Sequence, residues 1–138
     1  MHDPQRDVID RILDTAKVFA MVGASPNPDR PSYRVMGVLT AHGYTVQPVA
    51  PRAQLIRGVP AYRRLADVPG PLDVVEVFRR SDRAGEVVDE AIALGAKAVW
   101  LQLDVVDTQA AARAQAAGLD VVMDRCPAIE LRRRAGET

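Results

Sequence analysis

Five short apolar runs, separated by longer segments, constrain the fold of this chain more than any other feature. The runs lie at 18–22, 44–49, 72–78, 98–103 and 119–123. Between them, apolar residues recur at helical spacing, with capping residues before the segments and Gly after them. Strands that alternate with helices in this way form right-handed crossovers and a parallel sheet. The sequence therefore predicts an α/β fold with about five parallel strands and helices on both faces.

The length of the chain favours a single Rossmann-like domain over residues 1–138. A chain of 138 residues that is 48% hydrophobic has enough apolar surface for one core. Residues 1–17 are expected to form an N-terminal helix that packs on the sheet edge, and residues 133–138 are expected to fray. Residue types that cap helices precede the helical segments, and they are Asp3 or Asp7, Ser32, and Ser81 or Asp82.

Charge and composition exclude several classes of protein. Lys plus Arg and Asp plus Glu both total 18, so the net charge is zero and neither a nucleic-acid surface nor an anionic membrane surface is indicated. The apolar runs are too short to span a bilayer, and the charged start does not resemble a signal peptide, which predicts a cytoplasmic protein. One cysteine, Cys126, with only His2 and His42 besides, argues against a disulfide framework and a structural metal site.

The segment after the first predicted strand is the best candidate for a binding site. Gly23 ends the strand, and the following loop is rich in Pro and leads to a helix start near Ser32. Ser25 and Ser32 offer hydroxyl groups and Arg30 offers a planar cation, which together suit a phosphate at a helix N-terminus. The loop lacks both the GxGxxG and the GxxxxGK[ST] pattern. It is therefore either an unusual phosphate site or a rigid surface connection with a good helix cap.

The end of the second predicted strand distinguishes between phosphorylated cofactors. An NAD site normally has an acidic residue there, whereas this chain has Pro48, Ala50 and Arg52. An arginine at that place suits the phosphate on the adenosine ribose of NADP or coenzyme A. Arg52 is otherwise an ordinary exposed loop residue.

Several segments together resemble a known family. They read VGASPNPDRPSYRV, HGYTVQPVAP, DVVEVFRRSD, AVWLQL and VVMDRC, in that order along the chain. In order and spacing they resemble the stand-alone bacterial coenzyme A-binding proteins, which are related to the nucleotide-binding domain of the succinyl-CoA synthetase alpha subunit. The resemblance covers roughly residues 12–132. Two positions depart from it, because the family commonly has Asn in place of Ala50 and Gly in place of Asp104.

The resemblance implies coenzyme A as the cofactor and a set of binding residues. The loop after the first strand would hold the phosphates, residues near the second strand would flank the adenosine end, and residues at the third strand would line the adenine or ribose pocket. Val77 and Phe78 are otherwise simple core residues, and Gln102 is otherwise a structural amide. The expected binding residues are Gly23, Ala24, Ser25, Arg30, Ser32, Tyr33, Pro48, Ala50, Arg52, Val77, Phe78, Arg79 and Gln102.

The sequence offers no convincing catalytic set. Cys126 has no histidine placed to activate it, and a small buried residue or a helix start is the simpler interpretation. His42 is expected at the far end of the second helix, away from the phosphate loop. The chain is therefore expected to bind coenzyme A or an acyl-CoA without evident catalysis. The alternatives are an NADP-dependent oxidoreductase domain, an acyl-CoA-processing fragment that uses Cys126, and a regulatory module that senses nucleotides.

Overall fold

The computed structural model describes residues 2–136, and these residues form a sheet between two layers of helices. The helices are α1 Arg6–Thr15, α2 Pro31–Ala41, α3 Ser81–Ala93, α4 Thr108–Ala116 and α5 Pro127–Arg134, with a 3₁₀ turn at Leu65–Asp67. The strands are β1 Val18–Val22, β2 Thr45–Val49, β3 Leu55–Ile56, β4 Val59–Pro60, β5 Val74–Val77, β6 Ala98–Leu101 and β7 Asp120–Val122.

The main sheet has the strand order β2-β1-β5-β6-β7, and all neighbouring strands are parallel. Apart from Glu76 of β5, its central strands are apolar on both faces, as expected where helices cover both sides of a parallel sheet. Each of the five predicted apolar runs contains one of these strands. The prediction of a single Rossmann-like α/β domain is therefore confirmed.

The two faces of the sheet carry different helices. One face packs against α3 and α4, through residues such as Val88 and Ala110, and the other packs against α1, α2 and α5. The second layer also covers Glu76 of β5, which is fully buried between its strand neighbours Met21 and Trp100. No hydrogen-bond donor among residues 2–136 reaches either Glu76 oxygen, and burial raises the pKa of this carboxyl well above its ordinary value.

The end of β2 is held by a segment that follows the short β3–β4 hairpin. Tyr62 forms an isolated parallel bridge with Val49. The Tyr62 backbone N–H donates to the Pro48 carbonyl at 2.9 Å, and the Ala50 N–H donates to the Tyr62 carbonyl at 2.9 Å. These bonds fix the chain at the point where it leaves the carboxyl end of β2.

The helix caps differ from the predicted ones. The N-cap of α1 is Gln5, and Asp7 lies in the first turn. The Gln5 backbone N–H donates a hydrogen bond to Asp3 Oδ1 at 3.0 Å, so Asp3 bonds to the backbone just before the helix begins. The N-caps of α2 and α3 are Arg30 and Arg80. Ser32 and Ser81 therefore lie inside the first turn, and their hydroxyl groups bond to neighbouring loops instead.

Helix α5 ends at Arg134, inside the range 133–138 for which the sequence predicts fraying. Arg134 pairs with Asp14 of α1, and Arg133 pairs with the buried Glu130 at 3.3 Å. The arginine-rich segment therefore has protein partners that the local sequence does not reveal. Residues 137–138 lie outside the described range.

Candidate functional site

The candidate site lies at the carboxyl edge of the sheet, where the connections reverse direction between β1 and β5. The chain passes from β1 through α2 to β2 on one side, and from β5 through α3 to β6 on the other. Because α2 and α3 cover opposite faces, the loops that follow β1 and β5 separate. Open α/β sheets bind their ligands in the crevice at such a point.

Gly23 forms the turn at the end of β1. Its φ of 88° lies in the left-handed region that favours glycine. A Cβ atom at this position would lie 2.1 Å from the backbone carbonyl oxygen of Phe78. The Gly23 N–H donates to the Val49 carbonyl at 3.2 Å. The glycine therefore allows the loop to lie close to the ends of both neighbouring strands.

Side chains within the loop hold its backbone in place. Ser32 Oγ accepts a hydrogen bond from the Ser25 N–H at 3.1 Å, and Ser25 Oγ accepts one from the Asn27 N–H at 3.1 Å. Asn27 Oδ1 accepts one from the Asp29 N–H at 2.9 Å. In these bonds both serine oxygens are acceptors, so both hydroxyl hydrogens can still be donated. The loop is a preformed turn with hydroxyl donors.

The start of α2 explains why Ser32 is not the cap. Pro31 occupies the first helical position, where a fixed φ and the missing N–H are favourable. The helix therefore begins before Ser32 and leaves Arg30 as the N-cap. Ser32 is buried, with 3% of its surface exposed, and bonds across the loop.

Two adjoining cavities meet at this loop, and we call them together the groove. They share Gly23, Ser25 and Arg79. The β6-side cavity has a volume of about 540 Å³ and is lined by Gly23, Ser25, Arg30, Pro31, Ser32, Phe78, Arg79, Arg80, Gln102, Leu103, Asp104 and Val105. The β2-side cavity has a volume of about 450 Å³ and is lined by Gly23, Ala24, Ser25, Pro26, Ala50, Pro51, Arg52, Ala53 and Arg79.

Three of the expected binding residues do not line the groove. Val77 is fully buried in the core on the side of α3 and α4. Pro48 is buried within β2. Tyr33 faces the hairpin, where the guanidinium carbon of Arg57 lies 4.4 Å from its ring centroid. The structure brings the remaining expected residues together around the two cavities.

Other lining residues were not expected from the sequence. Those on the β6 side include Arg80, Leu103 and Val105, and those on the β2 side include Pro26, Pro51 and Ala53. Most of them follow directly after expected residues at strand ends. Their position after a strand was the available signal, and the residue types other than Arg80 suggest no ligand chemistry.

Three of the four arginines that line the groove are unpaired in the described part of the chain, whereas the fourth, Arg80, pairs with Asp82 at 3.3 Å. Arg30, Arg52 and Arg79 are exposed, and none of them makes an ion pair with any residue between 2 and 136. By contrast, Arg11 and Arg113 form bidentate hydrogen bonds with carboxylates. Free guanidinium groups around a cavity are suited to phosphate oxygens.

The turn after β6 closes the groove on its other side. The Val105 N–H donates to the Gln102 carbonyl at 2.9 Å, and the Asp104 N–H donates to Asp124 Oδ1 at 2.7 Å. Asp104 has a φ of 70°. A positive φ favours glycine, which explains why glycine suits this position in the family that the chain resembles. Asp is one of the other residues that tolerate the conformation. Its side chain adds a carboxylate to the groove.

Gln102 stands out on this turn because its polar end is buried. The residue has 7% of its surface exposed, and its Oε1 atom has no hydrogen-bond donor among the described residues. A buried acceptor without a donor is costly.

Cys126 lies in a separate cavity of about 350 Å³. It is the N-cap of α5 and has 7% of its surface exposed. This cavity is also lined by Arg125, Ile129 and Leu103, and Leu103 is shared with the groove. No histidine lines it in the described part of the chain.

The three unpaired arginines and the preformed serine loop suit a ligand that carries phosphate groups. Between residues 2 and 136, no group of three or more His, Cys, Asp or Glu is arranged to hold a metal ion, and no helix is long and apolar enough to cross a membrane.

Fold and groove together define the class, a doubly wound α/β protein with a ligand crevice at the carboxyl edge of β1. Comparison with protein families makes the assignment specific, because residues 17–132 match the family described as "CoA binding domain". This chain belongs to the CoA-binding domain family, which confirms the resemblance found in the sequence.

Individual relatives agree with this assignment. The chain is 36% identical over 126 residues to "Uncharacterized protein YneT" of Bacillus subtilis (strain 168), covering 91% of this chain and 93% of YneT. A solved structure of a hypothetical protein from Pyrococcus horikoshii OT3 has a TM-score of 0.87 and 38% identity, covering 92% of this chain and 89% of that one.

A larger enzyme contains the same fold. The acetyl-coenzyme A synthetase 1 of Ca. Korarchaeum cryptofilum, solved with phosphate and ADP, has a TM-score of 0.70 at 24% identity. The match covers 90% of this chain but 28% of the synthetase. At this identity the similarity shows a shared fold alone.

Proposed function

We propose that the protein binds coenzyme A or an acyl-CoA in the groove and catalyses no reaction there. The loop after β1 would hold the phosphates, with Arg30, Ser25 and Ser32 as donors. The β2-side cavity, with Ala50 and Arg52, would take the adenosine end.

The observation that carries this proposal is the set of unpaired arginines. The whole chain has no net charge, yet Arg30, Arg52 and Arg79 surround the groove without protein carboxylates as partners. Coenzyme A carries a diphosphate and a third phosphate on the ribose. Charge-assisted hydrogen bonds to such groups are stronger than neutral ones and add geometric specificity.

The chemistry of the lining residues supports binding over catalysis. In the described part of the chain, neither His nor Cys lines the groove, and Asp104 supplies a carboxylate without an acid or base partner. Cys126 in the adjoining cavity has no histidine beside it, in the described part of the chain, to act as the base of a thiol nucleophile. The proposal also places the protein in the cytoplasm, where a free thiol such as that of Cys126 is normal.

Thermal unfolding in the presence of candidate ligands tests the proposal. A ligand that binds only the native state stabilises it by about 2.7 kcal/mol at a hundredfold excess over Kd. We expect saturable stabilisation by coenzyme A and a smaller effect of NADP or NADH. Saturable stabilisation by NADP with none by coenzyme A would support the oxidoreductase alternative and overturn the proposal. Native mass spectrometry of the purified protein would identify any acyl group on a co-purifying ligand.

A further inference from the structure

We propose that Arg57 positions the β2-side wall of the groove from outside it, by holding the β3–β4 hairpin against helix α2. This inference rests on the proposed function and adds to it a residue that affects the adenosine end of the ligand without contacting it. It starts from two contacts of the Arg57 guanidinium group. Its carbon lies 4.4 Å from the ring centroid of Tyr33, and a Cβ atom on Gly37 would lie 2.4 Å from one of its nitrogens.

The two contacts belong to one face of α2, because Tyr33 and Gly37 are four residues apart in this helix. A cation over the face of a tyrosine ring is attracted by it. Gly37 has no side chain, which leaves room for the guanidinium group beside the helix. Arg57 forms no ion pair with any residue from 2 to 136, so the tyrosine ring is the group that holds its charge. We call Arg57, Tyr33 and Gly37 the clamp.

The local backbone does not explain an arginine at position 57. Ile56 pairs with Val59, so Arg57 and Gly58 form a two-residue loop, and both have a positive φ, of 50° and 77°. Turns of this kind favour Asn, Asp or Gly before the glycine. Arginine is an uncommon residue in this conformation, and its long side chain is what reaches α2.

The hairpin in turn fixes both ends of the β2-side wall. The Ala50 N–H donates to the Tyr62 carbonyl at 2.9 Å, and the Ala61 N–H donates to the Gln54 carbonyl at 3.1 Å. Residues 51–53 lie between these two points and line the β2-side cavity. They form no backbone hydrogen bond with any other described residue. The position of the wall therefore depends on where the hairpin lies.

Two substitutions remove the clamp without disfavouring the local backbone. Arg57→Asn introduces a residue that the turn favours, and it removes the guanidinium group. Gly37→Ala favours the helix, and it places a methyl group where the guanidinium group lies. Ile56 stays buried in the core and keeps the hairpin attached in both variants. Their melting temperatures without ligand should therefore stay close to that of the wild type.

Calorimetry measures the affinity of each variant for coenzyme A and for adenosine 3′,5′-bisphosphate, which keeps the adenosine end and lacks the pantetheine arm. We expect each substitution to weaken both ligands by the same factor, about twofold to fivefold, as for one cation–π contact at an exposed site. The double variant should lose no more affinity than either single variant, because both substitutions remove the same contact.

Arg63→Asn is the matched control for charge. It makes the same change at an exposed arginine outside the groove, so it should leave both affinities unchanged. Gly37→Ala is a second control for charge, because it displaces the guanidinium group and leaves the net charge of the chain as it is.

The outcomes distinguish the two proposals. Unchanged coenzyme A affinity in the single variants, a loss for coenzyme A without one for the bisphosphate, additive losses in the double variant, or an equal loss in Arg63→Asn would each overturn the role of Arg57 while coenzyme A binding stands. A wild type that binds coenzyme A but not the bisphosphate would overturn the placement of the adenosine end and, with it, the role of Arg57. A wild type that binds neither ligand would overturn the proposed function itself.

Discussion

The amino edge of the sheet contrasts with its carboxyl edge in how charged groups are paired. At the amino edge, Asp73 accepts hydrogen bonds from the backbone N–H groups of Lys17 and Val18, both at 3.0 Å, and pairs with Lys97 at 3.3 Å. At the carboxyl edge, Arg30, Arg52 and Arg79 have no carboxylate partner in the described part of the chain.

This contrast separates stability from binding. Side chains that satisfy one another at the amino edge contribute to the free energy of folding and have no capacity left for a ligand. Groups at the carboxyl edge do not make this contribution. Exposed arginines add little to the free energy of folding, and a buried acceptor without a donor lowers stability. We therefore expect substitutions at the two edges to affect different measurements.

The largest expected effect compares glycines of the two edges. Gly23→Ala should lower the free energy of unfolding by about 2 to 4 kcal/mol, from left-handed strain and the clash with the Phe78 carbonyl. Gly43, which follows α2 towards the amino edge, has a φ of 94° but open space around it, so Gly43→Ala should cost about 1 kcal/mol. Urea unfolding measures both. Equal losses would show that the close approach at Gly23 is unimportant.

The next effect concerns affinity. Arg30→Ala should weaken coenzyme A binding by about 1.5 to 3 kcal/mol, which is a ten- to hundredfold rise in Kd, because a charge-assisted bond to phosphate is lost. Arg11→Ala is the control from the amino edge, where Arg11 pairs with Asp120 at 2.7 Å, and it should leave the affinity unchanged. Titration calorimetry that finds full affinity in a folded Arg30→Ala protein would remove Arg30 from the site.

Asp73 provides the corresponding test of stability at the amino edge. Burial raises the pKa of this carboxyl, but the bonds from Lys17, Val18 and Lys97 outweigh it and lower the pKa below its ordinary value of 3.8. The charged form therefore stabilises the fold above pH 3.8, and this contribution is lost as the pH falls through the lower folded-state pKa.

Asp73→Asn should thus be less stable than the wild type at pH 7 by about 1 to 2 kcal/mol, for the loss of charge-assisted bonds. The difference should shrink as the pH falls below 3.8. Urea unfolding between pH 7 and pH 3 measures it, with coenzyme A affinity at pH 7 as the control, which should not change. A pH-independent difference would mean that the charge of Asp73 contributes nothing.

The smallest effect tests Arg52. Coenzyme A should bind more tightly than dephospho-coenzyme A by about 1 kcal/mol at low salt, and the difference should fall as the ionic strength rises. Arg52→Ala should reduce this difference, whereas Arg63→Ala, which changes an exposed arginine outside the groove, should not. Equal affinities of the wild type for both ligands would show that Arg52 is only a loop residue.

Local sequence predicted the strands better than the ends of the helices. Apolar runs mark buried parallel strands because both faces are covered, so 18–22 is β1 without adjustment. Helix α2 starts before the predicted cap Ser32 because Pro31 occupies its first position. The hydroxyl of Ser81 does not cap α3 and instead accepts a hydrogen bond from the Val106 N–H, in the turn after β6, at 2.9 Å. A capping residue in the sequence does not show which backbone groups will lie near it.

The candidate site was predicted in outline from loops that follow strands. The sequence identified Gly23, Arg30 and Phe78 through their positions and through the family resemblance, and all of them line the groove. It also predicted a ligand contact for Val77, which is in the core. Neighbouring residues at a strand end point to opposite faces, and the local pattern does not show which face opens into the groove.

The sequence by itself determined the parallel α/β fold, because the periodicity of apolar residues is a local property that fixes which segments can be buried as strands or helices. Only the tertiary structure decided which groups remain without partners. Whether Arg30 or Arg134 is free depends on Asp14, Asp10 and other residues far away in the chain. The missing donor at Gln102 is likewise a property of the packed turn after β6, since hydrogen bonding depends on neighbours that only the fold brings together.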